Sequence, residues 1–307
     1  MRQSVTRRFS RTGALPPKPT TEKLNRISSI TSDEHLHIEN MINQLSEDEI
    51  EIAARTSYEY FTMQDPATRI EHAKNMAKRY FRSKKEEGRA LSYMKDTLKF
   101  RKHLDVDGLR TAFLQDDDGS VSAYRDPLQE LVESKMVYVS GYDLDGRATY
   151  IFEPYRVQSY NTEWTIKQHV YTLERAIACT KSYDQTVNAV VNFNNFSAVK
   201  HAPPTSVGKE FMKTLRAHYT GHVNQIFLVD APTTFLCLWT IFKPFVSTNT
   251  KNRIQFVSSE KEKRKALGKW YAADQARPWM LPGGGKTREL DVDEYLYQTP
   301  FHHAFDE

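Results

Sequence analysis

Gly285-Lys286-Thr287 is where this sequence comes nearest to a phosphate-binding loop. In such a loop backbone N–H groups cradle the phosphates and a lysine reaches them. The motif needs a glycine five residues before its last one, where Met280 stands, and a strand leading in, where Pro282 stands. The segment therefore reads as a Gly-rich turn. His218 and His222, four residues apart, could present two imidazoles to a metal from one helix face, but a glutamate should follow the first histidine and Tyr219 does. Cys179 and Cys237 are too few for a disulfide scaffold or a four-cysteine zinc site; each lies among apolar residues, as reduced core cysteines do. Neither Gly-x-Ser-x-Gly nor Gly-x-Gly-x-x-Gly occurs. The expectation is a non-enzyme with no catalytic residue, no metal and no cofactor.

Asp230 to Val246 says more. Phe235, Leu236, Leu238, Trp239, Ile241, Phe242 and Phe245 cover nearly the whole circumference of a short helix. A helix apolar all round is normally buried on every side. The other reading makes Phe235, Leu238, Trp239, Phe242 and Phe245 the wall of an apolar pocket, with the remaining face against a membrane. Trp239 and Lys243 would suit an interface. The sequence alone leaves both readings open.

The elements that must position this segment follow from periodicity. Ser46 followed by Glu47, Asp48 and Glu49 caps a helix. A second is expected from Asp65-Pro66, with Ile70, Ala73, Met76 and Ala77 on one face, and a third carries Ala90, Leu91, Met94, Leu98 and Arg101. After Ser134 the period shortens: Met136–Val139 and Thr149–Phe152 read as strands about a turn at Asp143–Arg147. A long helix from about Thr162 to Thr180 follows, then strands at Ala189–Val191, Ile226–Val229 and Ile254–Val257, with a helix around Glu210–Leu215 between the first two. This order predicts an α/β fold: a helical N-terminal lobe, then a mixed, mainly parallel sheet of about five strands with flanking helices.

The 307 residues divide as a basic tail (1–46), the helical lobe (47–114), a sheet domain (115–290) and a C-terminal tail (291–307). The tail's Pro, Ser, Thr and Arg content gives no period and predicts disorder. Its Arg- and Ser-rich start also fits an organelle transit peptide, and Ser10 after Arg7-Arg8-Phe9 fits a phosphorylation site. Seven basic residues against Glu22 alone put +6 on residues 1–30, leaving the body near −2 of a net +4. A body of that charge is not a nucleic-acid binder. The longest apolar run, near Phe235, is about a dozen residues where a membrane span needs about 20, and residues 1–30 lack the apolar stretch of a signal peptide. The expected location is cytoplasmic.

Several separated motifs, in order, resemble the CRAL-TRIO lipid-binding domain family, the fold of phosphatidylinositol/phosphatidylcholine transfer proteins. Arg79–Lys85, Ala90-Leu91 and Phe100–Lys102 are similar to its helical N-terminal signature, and Asp143–Arg147 to its strand-linking turn. Phe227–Pro232 with Phe242–Phe245 is similar to its strand and mobile gate helix, and Leu281–Gly284 to its closing element. The resemblance spans roughly Ser46 to Leu290. It implies a pocket for one lipid or other hydrophobic ligand, and a gate that opens transiently on a membrane surface. Two chains of about 16 carbons, at about 0.8 kcal/mol per CH₂, would cost roughly 25 kcal/mol in water. Shielding them is then the activity, and no bond chemistry is needed.

The resemblance also implies headgroup contacts, residue by residue. The basic pair of phosphatidylinositol-binding members matches Lys84 and Lys85, their threonine matches Thr250, their lysine is replaced by Arg253, and Tyr150 matches a pocket tyrosine. Their acidic residue falls at Gly221, so that contact is missing. The serine and threonine that hold phosphocholine fall at Val187 and Ala189, which disfavours phosphatidylcholine. The implied partner is a phospholipid such as phosphatidylinositol. The alternative is a regulatory or interaction module that keeps the fold without transferring lipid.

Overall fold

The computed structural model describes residues 31–114, 121–157, 160–246 and 248–306. The transit-peptide and Ser10 expectations lie outside these residues.

Among the described residues seven helices precede the sheet: α1 (Ser32–Asn43), α2 (Glu47–Ala54), α3 (Tyr58–Met63), α4 (Arg69–Lys84), α5 (Glu87–Leu104), α6 (Val106–Arg110) and α7 (Arg125–Glu133). The Ser46 hydroxyl accepts from Glu49 N while Ser46 N donates to the Glu49 carboxylate, a reciprocal cap at the start of α2. α1 corrects the sequence reading, which places residues 32–43 in the tail. Thr31 caps it, accepting from Glu34 N at 3.1 Å, and Ile38, Met41 and Ile42 bury against the lobe. Four apolar residues in twelve, one of them the exposed Leu36, are too weak a stripe to stand out beside a Pro- and Ser-rich stretch; the helix depends on its docking surface. α4 starts at Arg69, later than Asp65-Pro66, because the Asp65 carboxylate accepts from Ala67 N at 3.0 Å and closes a turn first.

The sheet is β1 (Val137–Tyr142), β2 (Ala148–Phe152), β3 (Val187–Asn192), β4 (Val223–Val229) and β5 (Ile254–Val257), side by side in chain order. β1 and β2 are antiparallel; the remaining pairs are parallel. The connections carry α8 (Thr162–Cys179), α9 (Ala198–His201), α10 (Thr205–His218), α11 (Thr233–Phe242) and α12 (Thr248–Lys251), and α13 (Glu260–Ala266) follows β5. The sequence prediction of a helical lobe followed by a mixed, mainly parallel five-stranded sheet holds.

The Asp143–Arg147 turn owes its form to Gly146, at φ +81°, and to a buried ionic hub. Asp143 accepts from Arg147 N at 2.8 Å and from Asn188 Nδ2 at 2.8 Å, while Arg147 donates to Asp184 at 2.9 Å and to Thr186 at 3.0 Å. The turn therefore staples β1–β2 to the start of β3.

The C-terminal residues 291–307, expected as a tail, are packed instead. Tyr295 and Phe305 are fully buried, Phe305 bridges to Ser140 on β1, and the Arg175 guanidinium donates to the Tyr295 carbonyl at 2.7 Å. Their aromatic anchors are isolated in sequence, so no periodicity betrays them. Cys237, expected in a core, is exposed, whereas Cys179 is buried as expected.

Candidate ligand-binding site

The strand registers arrange one face of the sheet in two rows. Phe152, Val191, Leu228 and Phe256 align across β2 to β5, and Tyr150, Ala189, Ile226 and Ile254 form the next row. Apart from the Tyr150 hydroxyl, every side chain in both rows is hydrocarbon. The opposite face is packed solid: Val190, Phe227, Val229 and Val257 lie under Leu267, Tyr271, Ala276, Met280 and Leu281.

The two-row face is finished differently. Phe256 is 42% exposed, and Phe152, Ala189, Ile226 and Ile254 all keep partial access to solvent. Above this face lies α11, apolar at every one of its ten positions but Thr233, Thr234 and Thr240, and none of them is buried. Leu236 and Ile241 point outward, 43% and 42% exposed. Phe235, Leu238, Trp239 and Phe242 are half-buried on the inner side. The Phe235 ring lies 4.2 Å from Phe193, and Trp239 lies 6.3 Å from Phe256. Nearly seamless contact is the rule for apolar interiors. An apolar helix over an apolar sheet face, both still reachable by solvent, departs from that rule. The side chain of Phe245 lies outside the described residues.

α11 is held at two points. The Lys263 ammonium on α13 pairs with Asp230 at 2.6 Å, just before the helix. At its far end the Phe242 ring fills the notch left by Gly208 on α10, where an added Cβ would stand 2.5 Å from the ring.

At the border between the α8 side and the two-row face sits a buried polar pair. His169 on α8 and Tyr150 on β2 are 3% and 4% exposed, and the Tyr150 hydroxyl is hydrogen-bonded to His169 Nδ1. Burial lowers the His169 imidazole to about 3 and raises the Tyr150 phenol well above its usual range, so both are neutral at physiological pH. The imidazole is flanked by Phe211 at 4.2 Å and Phe152 at 5.3 Å. Sequence reasoning finds Tyr150 through the resemblance but misses His169. The signal was there: His169 interrupts the Ile166, Val170, Leu173 stripe of α8.

The remaining expected site residues lie elsewhere. The Lys84 ammonium stacks 3.7 Å over the Tyr93 ring, and burial lowers its pKa, helped by nearby Arg89 and Arg216. Neighbouring Ser83 is hydrogen-bonded to Thr220 at 3.0 Å, which puts Lys84 near the start of β4. Lys85 is exposed where α4 ends. The Arg253 guanidinium donates to the carbonyl of Val223, also at the start of β4, and Thr250 lies on α12 one turn earlier. Ser83, next to Lys84, and Arg253 thus both reach the segment that leads into β4, while Tyr150 stands on β2. At Gly221 a Cβ would lie 2.8 Å from the Arg79 side chain, so an acidic side chain there would collide with a residue that ties the lobe to the sheet.

His218 stacks on Phe100 at 3.9 Å and is hydrogen-bonded to Thr97, and among the described residues no group of three or more metal-ligating side chains assembles. No described helix is long and apolar enough to cross a membrane. A groove of about 490 Å³ beside Glu133, Lys135 and Arg288, and a pocket of about 140 Å³ between Arg110, Arg175 and Phe301, lie away from the two-row face.

Comparison with known proteins agrees with this architecture. A CRAL-TRIO domain-containing protein of Schizosaccharomyces pombe is 24% identical over 161 residues, a match spanning 52% of this chain and 14% of that protein. The crystal structure of Sfh5 superposes with a TM-score of 0.62 at 12% identity, covering 89% of this chain and 96% of the other. The family model described as the CRAL/TRIO domain matches residues 132–276, which take in the whole sheet, α8 and the apolar helix. Over residues 132–276, then, this chain is similar to the CRAL/TRIO domain family.

Proposed function

We propose that this protein carries one hydrophobic ligand between the two-row sheet face and α11, and exchanges it with membranes as α11 swings aside. The observation that carries this reading is the most apolar helix of the chain having no buried residue while it covers a sheet face that is itself half accessible. In the absence of a guest such surfaces would close on each other, because each 100 Å² of apolar contact contributes about 2.5 kcal/mol. Leu236 and Ile241 on the outer side, next to Lys243, suit the hydrocarbon–headgroup boundary of a bilayer. Moving a lipid tail from bilayer to such a pocket exchanges hydrocarbon for hydrocarbon and costs little. The protein is then a cytoplasmic carrier that visits membranes transiently.

The finer proposal is that the ligand is a phospholipid of the phosphatidylinositol type, its phosphate met by Lys84, Lys85, Thr250 and Arg253 at the strand-start edge. Support comes from the contacts that bring Arg253 and Ser83, the neighbour of Lys84, to the segment leading into β4, and from arginine's capacity for bidentate phosphate contacts. The collision at Gly221 favours a second reading, a module that holds lipid without transferring it.

Organic extraction of the purified full chain followed by mass spectrometry is expected to release one hydrophobic species per chain, and a liposome assay to show its transfer. An empty protein that moves no lipid tested sinks the carrier. Release of a bound lipid without transfer selects the second reading. Lys84→Ala with Arg253→Ala is expected to cut phosphatidylinositol transfer while circular dichroism stays unchanged; undiminished transfer removes the phosphate assignment and leaves the apolar pocket standing.

A further inference from the structure

We propose that His169 is a ligand-binding residue: its Nε2 makes a hydrogen bond to an uncharged oxygen, a hydroxyl or carbonyl, of the hydrophobic ligand. This rests on the carrier reading and adds to it the chemistry the guest must bring.

The geometry begins with the two ring nitrogens. Nδ1 is taken by the Tyr150 hydroxyl. Among the described residues no hydrogen bond reaches Nε2, and that nitrogen is not among the polar atoms sealed from solvent. A side chain 97% buried with one ring nitrogen unmatched and still reachable is rare, because buried polar atoms are nearly always paired. Phe152, against one side of the imidazole, also packs on the Val191, Phe193 and Leu228 cluster beneath α11. Phe211 on α10 lies against the imidazole as well. Through Phe152 the imidazole thus adjoins the apolar cluster beneath α11, the side from which the proposed ligand approaches.

The chemistry of the partner follows from the surroundings. Among the described residues no charged side chain acts on His169 or on Tyr150; burial, and for Tyr150 the neutral Tyr295, are the influences on them. A carboxylate or phosphate at this position would have no counter-charge in a low-dielectric setting, whereas a hydroxyl or carbonyl needs none. With Tyr150 donating to Nδ1, Nε2 carries the proton and donates to the ligand oxygen; with the reverse tautomer it accepts from a ligand hydroxyl. A hydroxyl serves both cases.

The test uses the full-length chain, stripped of bound lipid, and two probes alike except at one end, pyrenyldodecane and pyrenyldodecanol. The wild-type protein is expected to bind both. His169→Leu should weaken the alcohol about five- to tenfold while changing the hydrocarbon by less than about twofold, and His169→Gln, which keeps a hydrogen-bonding group, should recover most of the loss. In the wild-type chain, the Nε2 resonance of His169 in nitrogen NMR should move with pyrenyldodecanol and stay put with pyrenyldodecane, which serves equally if the leucine variant does not fold. Equal loss of both probes, or a resonance indifferent to the alcohol, would make His169 a packing residue and overturn the proposal while leaving the carrier intact. A wild-type chain that binds neither probe takes the carrier reading down, and this inference with it.

Discussion

His169, His218 and His222 are held neutral by burial, lowered respectively to about 3, to about 4 and well below 6.5. His222 even leaves Nδ1 unpaired, and Arg79 nearby pushes it further down. In the unfolded chain all three return to ordinary imidazoles. A depressed folded pKa means that the unfolded state binds the extra proton first. The contribution to stability is thus fully present above pH 6.5 and is lost as pH falls towards 4 and 3. At pH 5 unfolding is expected to take up on the order of three protons from these residues. Urea denaturation at a series of pH values between 7 and 4.5 measures that uptake as the slope of stability against pH. A flat profile across that window would show that the three imidazoles are solvated in the folded state. The same residues show what a sequence gives away at this scale. Histidine spacing speaks only to a metal motif; which imidazole would border the underside of α11 depends on Phe152 and Phe211, brought from β2 and α10.

At the scale of elements, α11 is the informative piece, and Gly208 is its latch. The glycine is the fourth residue of α10 and has ordinary helical backbone, where alanine would favour the helix by up to about 1 kcal/mol. The cost appears across the contact: the new Cβ would stand 2.5 Å from the Phe242 ring, which must swing out. Gly208→Ala is expected to leave helix content unchanged and to speed release of pyrenyldodecane severalfold, read by stopped-flow fluorescence. Gly208→Ala combined with Phe242→Leu should return the rate towards wild type, since the two residues are in direct contact and couple. Unaltered release in the single variant would mean that Phe242 does not hold α11 shut. Much of the element scale was legible beforehand: strand alternation and the helix stripe of α8 come from residues that repeat at fixed spacing. What escaped, α1 and the packed C-terminal segment, lacks repetition. Ile38, Met41 and Ile42, or Tyr295 and Phe305, become intelligible only with the surfaces that receive them.

At the scale of the whole molecule, the helical lobe is the clamp that keeps the walls of the site in place. α8 carries His169 five residues before Glu174, and Glu174 is gripped from the lobe. Arg101 on α5 donates to both its carboxylate oxygens at 2.7 and 3.1 Å, and the Tyr219 hydroxyl donates at 2.9 Å. Burial pushes the Glu174 carboxyl up, but Arg101 and Arg110 more than offset this and hold it below the usual carboxylate range. α5 grips α10 as well, through Thr97 and Phe100 against His218. Both helices that flank the apolar face are therefore tied to one lobe helix. Arg101→Met removes the partner of a fully buried carboxylate without removing the carboxylate, the costliest way to break such a pair, and should destabilise the chain by about 3–5 kcal/mol in urea denaturation. Arg101→Met with Glu174→Leu, which removes both charges, should regain most of that loss, because a buried ion pair is worth little over a well-packed apolar one. Pyrenyldodecane binding should follow the same order, weakened in the single variant and restored in the double, because the face that receives it depends on where α8 and α10 are held. A single variant that loses stability yet binds the hydrocarbon unchanged would show that the lobe stabilises the fold without shaping the site.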